Sequence, residues 1–568
     1  MTNSTPAHPA RSPAPDARKW LRALAAALAL CGPASSHAQA PAAPAAPAAQ
    51  ASAPAPAAAP AAPEGPGFDI LEYDIDGNTV LDATVIEAAM QDFLGPGKHM
   101  SDVEGARSAL EQAYQKAGYL TVGVDIPEQR IEGGVVKLQV AEGVVHAVYV
   151  TGSRYHSQDW IRTRVAELQP GHVPDFNKVQ QQLAAVSRED RRVQPVLKPG
   201  RLPGTVDIDL QVNDTLPAGG SVEWNNQHAA GTTPSRMLAS AHYDNLFQRD
   251  HALTATVQVA PEKPSESEVG ILNYAIPVAE TDTLAFNLVG SNSNVETLGG
   301  TEVLGKGLTF GVRWQHPIGF ENGYWSVSAG VDYKDLRQRT RFGADGVSTP
   351  LRYLPFQFGI FGQWAAGPDQ VSFNGAATFA MAPIFRRNVD CPSGVGSTQQ
   401  DQFSCNHQGS DGSFGLAKGD LRLSHQFPLA TLAVRMGAQL ASQPLVNAEQ
   451  YSLGGADTVR GYFEGESSGD EGAIFSAELR SLNFAGAKTT DRIKELSVLA
   501  FVDAGLTYNI DPAVGQSSHT ALLGLGTGAR FSLRNGLESQ LDVAWPRRAT
   551  PQTPHTDPRV HARIAWIF

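Results

Sequence analysis

No apolar run in the 568 residues approaches the roughly 20 that a membrane-spanning helix requires. That excludes a helical membrane protein but not a transmembrane barrel, whose strands alternate lipid-facing and lumen-facing side chains and so look ordinary in hydropathy. Positive charge is also scarce: Lys and Arg total 44 against 57 Asp and Glu, a formal net charge of −13. A nucleic-acid partner, which calls for a basic patch or stripe, is not expected. No H-E-x-x-H string and no His/Cys cluster with metal spacing occurs, and no phosphate-binding glycine loop opens a helix. His228, His242 and His316 are scattered among strands and read as lumen or interface residues. Neither enzymatic activity nor a metal or cofactor is expected. Only three cysteines are present.

What is present begins with an export signal. Arg18, Lys19 and Arg22 precede the short apolar run Ala23 to Cys31, broken at Gly32-Pro33. Ser36-His37-Ala38 then offers a cleavage site before Gln39, so residues 1–38 read as a signal peptide. A lipoprotein reading through Leu28-Ala29-Leu30-Cys31 is the alternative, with Leu30 larger than the residue usual beside a lipidated Cys. Export leaves Cys391 and Cys405 in an oxidising compartment, where a close pair favours a disulfide over two free thiols. Residues 39–67 are almost only Ala and Pro, a semi-extended spacer with no apolar face to bury.

From Phe68 the pattern is globular. A strand through Ile75, a turn at Asp76-Gly77-Asn78, a helix from Thr84 to Phe93 and a stop at Gly95-Pro96-Gly97 come first. Ser101, with Glu104 three residues on, predicts the start of a longer helix. Val103, Leu110 and Tyr114 stripe that helix, Gly118 ends it, and strands 119–126 and 135–140 follow. The order recurs: a strand at Val144–Val150, a turn at Gly152, a helix near Asp159–Leu168, a helix capped by Asp175 through Val186, and strands 193–197 and 205–212. Two consecutive β-α-α-β-β units, 68–143 and 144–214, are a repeat of pattern.

Beyond Asp214 no helical period survives. Segments of about ten residues alternate in polarity between turn signals such as Gly299-Gly300, Asn322-Gly323 and Asn535-Gly536, and residues 215–568 predict an antiparallel barrel of about sixteen strands. In Leu496–Gly505, the residues Ser497, Leu499, Phe501, Asp503 and Gly505 share one face and Val498, Ala500, Val502 and Ala504 the other. Glu478 and Arg480 share a face with Ser476, opposite Phe475, Ala477 and Leu479, and read as lumen-facing. Gly524, Gly526 and Gly528 fall on the face of Arg530; with no helix behind them to meet a phosphate, they read as lumen glycines leaving room, or simply as strand bends. The last strand puts Ile564, Trp566 and Phe568 on one face, and an aromatic end of this kind resembles the insertion signal of bacterial barrel proteins.

Taken together, the signal, the two units and the barrel resemble the two-partner secretion transporters of the haemolysin-activator and filamentous-haemagglutinin-transporter type. Gly77-Asn78-Thr79, Asp102-Val103-Glu104, Gly118-Tyr119 and Pro127-Glu128-Gln129 are similar to that family's polypeptide-transport-associated (POTRA) domain. Pro195 to Gly200, followed by Pro203-Gly204-Thr205, resembles its second unit. Val459-Arg460-Gly461-Tyr462 resembles the tip motif of the sixth external loop, and Phe501-Val502-Asp503-Ala504-Gly505 the inner-wall motif of strand thirteen. A buried carboxylate wants a partner, and Arg offers a planar, permanently charged fork. Arg460 therefore either pairs with Asp503 and locks the loop inside the barrel, or is a solvated surface charge while Asp503 wets the lumen.

The resemblance implies an outer-membrane location with periplasmic N-terminal domains, and a large secreted exoprotein with an N-terminal secretion domain as partner. It also implies contact with outer-membrane lipids and with the barrel-assembly machinery during biogenesis. Relatives often begin with a helix that plugs the barrel; residues 39–67 lack the periodicity for one. The alternatives are an assembly or insertion factor of the same superfamily and a small-solute porin.

Overall fold

A computed structural model describes residues 67–568 other than 189, 280, 299–300, 343–344, 394–395, 486–491 and 513–514. The expected signal peptide, the lipidation alternative at Cys31, the Ala/Pro spacer apart from Gly67, and the Gly299-Gly300 turn lie outside the described residues. The chain divides into two compact units that part between Pro217 and Ala218.

The N-terminal unit holds β1 (Phe68–Ile70), β2 (Glu72–Asp76), α1 (Ala83–Met90), β3 (Gly95–Lys98), α2 (Met100–Ala117), β4 (Val122–Asp125) and β5 (Val135–Glu142). β2 runs parallel to β5 and β4 antiparallel to it. Residues three and four apart on α2, namely Val103, Ala106, Leu110 and Tyr114, are buried, as that spacing requires of one helix face. The resembling motif residues shape the turns. Asn78 closes its turn onto Leu81 and accepts from the Tyr114 hydroxyl at 2.5 Å. Gly118 ends α2 at φ +103°, where a Cβ would be strained. The Gln129 amide pairs with both backbone groups of Lys137 at 2.7 Å, imitating a strand neighbour.

Two expectations are corrected here. The cap of α2 is His99, whose N–H donates to the Asp102 carboxylate at 2.8 Å; Ser101 is already inside the helix. Asp102, three residues past His99, reaches back where Glu104 would be two residues too late. Gly95-Pro96-Gly97 does more than stop a helix, since it forms β3 and pairs with β1.

The order then repeats with β6 (Val144–Thr151), α3 (Gln158–Arg164), α4 (Phe176–Val186), β7 (Arg191–Pro199) and β8 (Thr205–Asp214). Again the first strand is parallel to the last and the middle one antiparallel to it. Asp175 caps α4 by accepting from the Asn177 N–H at 2.9 Å. Val145, Ile161, Leu168, Val179, Ile208 and Leu210 form its core.

The second unit is a closed antiparallel barrel. Its sixteen strands are β9 (Ala218–Asn225), β10 (Arg236–Leu246), β11 (His251–Val259), β12 (Ser267–Pro277), β13 (Thr283–Leu298), β14 (Thr301–Phe320), β15 (Gly323–Phe342), β16 (Phe356–Ala366), β17 (Asp369–Phe379), β18 (Gly415–Gln426), β19 (Ala430–Ala441), β20 (Glu471–Ser481), β21 (Ile493–Tyr508), β22 (His519–Leu533), β23 (Leu537–Pro546) and β24 (Arg559–Ile567). Segment Asp345–Tyr353 pairs with the outer half of β15, beyond the part that pairs with β16, and so adds no stave to the wall. Closure joins β24 to β9, and the last link is reciprocal: Gly220 and Phe568 exchange two N–H···O bonds of 2.9 Å. Closing a sheet on itself leaves no unpaired edge, which a hydrocarbon environment demands.

Parity runs as the alternation requires. Val498, Phe475 and Leu479 point outward and are exposed, while Ser497, Leu499, Phe501 and Asp503 are buried on the inner face. Ile564, Trp566 and Phe568 are about half exposed on the outside, with the Trp566 and Phe568 rings 5.0 Å apart. Among the described residues no helix is long and apolar enough to cross a membrane.

Candidate functional site

Connections at one end of the barrel are short turns such as 321–322 and 367–368, and those at the other include the long segments 380–414 and 442–470. Segment 442–470, the sixth connection at that end, turns back into the lumen. It is a folded element: Tyr451–Leu453 pairs with Ser467–Gly469 as a short hairpin. Tyr451, Leu453, Val459 and Tyr462 pack with the wall residues Ile474 and Leu522 as a small apolar core. Its root is tied by Asp470, which accepts from the N–H groups of Leu445 and Ile510 at 2.9 and 2.8 Å.

At the tip Arg460 is only 6 % exposed, so it is no solvated surface charge. Its Nε donates to Asp503 Oδ2 at 2.7 Å and Nη2 to Oδ1 at 3.0 Å, a two-point fork. The Arg460 backbone N–H adds a third bond to the same carboxylate at 3.1 Å. Nη1 reaches Glu478 at 3.1 Å and Asp542 at 3.4 Å, and the guanidinium lies 3.3 Å above the Phe501 ring centre. Four barrel strands thus contribute: β20 through Ser476 and Glu478, β21 through Phe501 and Asp503, β23 through Asp542, and β22 through Arg530, which forks onto Asp542 at 2.6 and 3.0 Å. A charge taken from water needs this many partners.

The neighbours of Arg460 in the motif are held as closely. Gly461 has φ +99°, and a Cβ there would meet the Pro546 nitrogen at 3.1 Å; its N–H donates to His561 Nε2 at 3.0 Å. Val459 and Tyr462 are fully buried. The Tyr462 hydroxyl accepts from the N–H groups of Leu523 and Arg548 at 3.2 Å and stands 2.8 Å from the Arg548 carbonyl, to which it donates. The lumen glycines leave room for specific atoms. A Cβ on Gly524 would lie 2.0 Å from the Arg460 carbonyl, on Gly526 2.3 Å from the Phe501 ring, and on Gly528 1.9 Å from the Asp542 carboxylate. Gly505 faces Leu453 and Val459 of the loop.

Other sequence-singled residues sit apart. Arg480 pairs with Glu478 at 2.9 Å on the same inner face. Cys391 and Cys405 are bonded, with Cα atoms 5.5 Å apart, in the fifth long connection. His228 lies in the connection after β9 rather than in a strand, His242 pairs with Asp244, and His316 with Asp282. The string Gly465-Glu466-Ser467-Ser468-Gly469 has the G-x-S-x-G spacing of a hydrolase elbow. Ser467 instead belongs to the loop hairpin and its hydroxyl bonds Thr507 at 2.6 Å, with no strand-to-helix turn to raise a nucleophile. Sequence reasoning missed Asp542 and His561 as members of the cluster. Both are polar residues at inner parity between apolar neighbours (Leu541 and Val543, Val560 and Ala562), a signal that gives their face of the wall but not their partner.

Beside the loop, toward β14–β19, lies a cavity of about 660 Å³ lined by Ser326, Ser328, Asn374, Lys418, Asp420 and Arg435 among others. Neutral polar side chains and charges of both signs line it.

Comparison with known proteins adds two family matches. Residues 68–143 match the POTRA domain of ShlB type. Residues 204–531, more than half the chain, match the haemolysin secretion/activation proteins ShlB/FhaC/HecB. The outer membrane transporter CdiB of Dickeya dadantii is 22 % identical over 523 residues, covering 85 % of this chain and 83 % of that protein. Among solved structures, CdiB from Escherichia coli superposes with a TM-score of 0.59 at 16 % identity, covering 90 % and 92 % of the two chains. BamA from Haemophilus ducreyi lacking its POTRA domains 1–3 does so at 0.53 and 13 % identity, covering 88 % of this chain and all of the other. At these identities the structural likenesses speak to the fold.

Proposed function

The chain belongs to the family of haemolysin secretion/activation proteins, the outer-membrane transporters of two-partner secretion, and from that premise we propose how its parts divide the work. Its POTRA units face the periplasm, its barrel spans the outer membrane, and its partner is a secreted exoprotein. In the finer reading, that partner is large and presents an N-terminal secretion domain to the two units. Strand addition captures it, main-chain hydrogen bonds giving affinity and side-chain pockets giving selectivity. The unfolded chain then moves outward through the lumen, and its folding outside supplies direction, since the periplasm offers no ATP. Lipids surround the exposed belt of the barrel, and the barrel-assembly machinery reads the strand ending at Trp566 and Phe568.

Arg460, Asp503 and the residues around them act as a lock that holds the sixth loop in the lumen at rest. The observation that supports this most is the buried two-point fork between Arg460 and Asp503. During passage the loop yields or shifts between two positions, and the polar cavity beside it is the way through.

The test is genetic and direct. In the native host, deleting this transporter abolishes the appearance outside the cell of a large exoprotein encoded beside it, and the full chain restores it. A chain lacking residues 68–214 inserts but does not restore export. Unchanged export after deletion contradicts the pairing; full export without residues 68–214 contradicts the capture role.

A further inference from the structure

We infer that His561 is a positioning residue of the loop lock that works only as the neutral imidazole, so that proton uptake at this side chain releases the loop tip. The inference rests on reading the Arg460 cluster as a lock. His561 lies at inner parity on β24 and is 7 % exposed. Its Nε2 stands 3.0 Å from the Gly461 nitrogen. A backbone N–H can only donate, so Nε2 must be the acceptor and the ring proton sits on Nδ1. A second proton would set N–H against N–H at the very residue that follows Arg460.

The surroundings offer an imidazolium little compensation. From the loop it faces Arg460; from its own strand, Arg559 and Arg563; from the connection after β9, His228. The carboxylate opposite is Asp542, its register partner on β23. Asp542 is already engaged by Arg530 at 2.6 and 3.0 Å and by Arg460 at 3.4 Å. Glu478 and Asp503, which line the same cavity, are engaged by Arg460. The docked loop therefore favours the neutral ring, while a withdrawn loop leaves the ring free to take a proton. By linkage the docked state binds fewer protons, so docking is favoured above the imidazole range and weakens as pH falls through it.

Purified full-length protein in planar lipid bilayers, recorded from about pH 8 to about pH 5.5, spans the imidazole range. Wild type, His561→Gln, His561→Asn and Arg460→Ala are each compared with themselves across pH, after heat-modifiable migration shows that each barrel is folded. A carboxamide oxygen can still accept from Gly461 but does not titrate. We expect open-state occupancy of the wild type to rise on acidification, by at most about tenfold per pH unit, the ceiling for one proton. Both carboxamide variants should show a ratio near unity, and Arg460→Ala should be open at both ends. A wild-type response retained by the carboxamide variants overturns the inference, as does a flat wild type beside an open Arg460→Ala. An Arg460→Ala channel that matches wild type throughout instead overturns the lock itself, and the inference with it.

Discussion

Arg460 can be buried because its planar fork meets a carboxylate held by the wall, with Phe501 beneath it and Glu478 and Asp542 beside it. Removing one partner of such a pair leaves the other charge uncompensated, at a cost of about 3–5 kcal/mol. Arg460→Ala and Asp503→Ala should each loosen the loop and raise resting conductance. The double exchange of Arg460→Asp with Asp503→Arg should recover part of the loss, and only part, because the Ser476 hydroxyl donates to a carboxylate at position 503 and Glu478 accepts from a guanidinium at position 460. No recovery in that cycle would contradict the pairing. Gly524→Val makes the same point without touching a charge. The added Cβ would stand 2.0 Å from the Arg460 carbonyl, so the loop should be displaced while the barrel still folds, and resting conductance should rise as in Arg460→Ala.

Elements were legible in the sequence to different degrees, and the pH response of one shows why. Asp214, the last residue of β8, has a fully buried side chain. Burial alone would raise its pKa, but the N–H groups of Tyr155 and Arg154, with His156 and Ser153, hold it below the ordinary carboxylate value. A depressed folded-state pKa contributes stability that is present above the unfolded value, near 4, and lost as pH falls through the folded one. Pepsin cleavage within 144–214, relative to cleavage within 68–143, should therefore climb toward about pH 2 in wild type. Asp214→Asn should be cleaved more at about pH 5 and lose that climb; an unchanged profile would contradict the role. From sequence Asp214 is only the last residue of the second unit, because its partners come from a turn 58 to 61 residues earlier. By contrast, the stripe of Val103, Leu110 and Tyr114 and the alternation along β21 were readable, since period alone decides which face is buried. The cap of α2 was misread by two residues because two acids, Asp102 and Glu104, compete at nearly the same spacing. The wall partners Asp542 and His561 escaped for another reason: barrel register brings them to Arg460 and Gly461 across 82 and 100 residues, and no local pattern records register.

The whole molecule is a closed wall of sixteen strands whose last residue completes the ring, with a folded loop inside and two small α+β units ahead of it in the chain. The wall and the paired units follow from composition and period, and family membership places them at the outer membrane. What the barrel contains is the part that only three-dimensional register supplies. The claim on which the rest depends is that the exported chain travels through the lumen. A photo-crosslinking residue placed at Ser328 or Asn374 on the inner face, or at Phe358 on the outer face, tests it during export of the exoprotein partner stalled by a folded domain. The account predicts adducts between the stalled chain and positions 328 and 374, and none from position 358. Adducts from the outer face alone, or export that proceeds with no contact at either inner position, would contradict it.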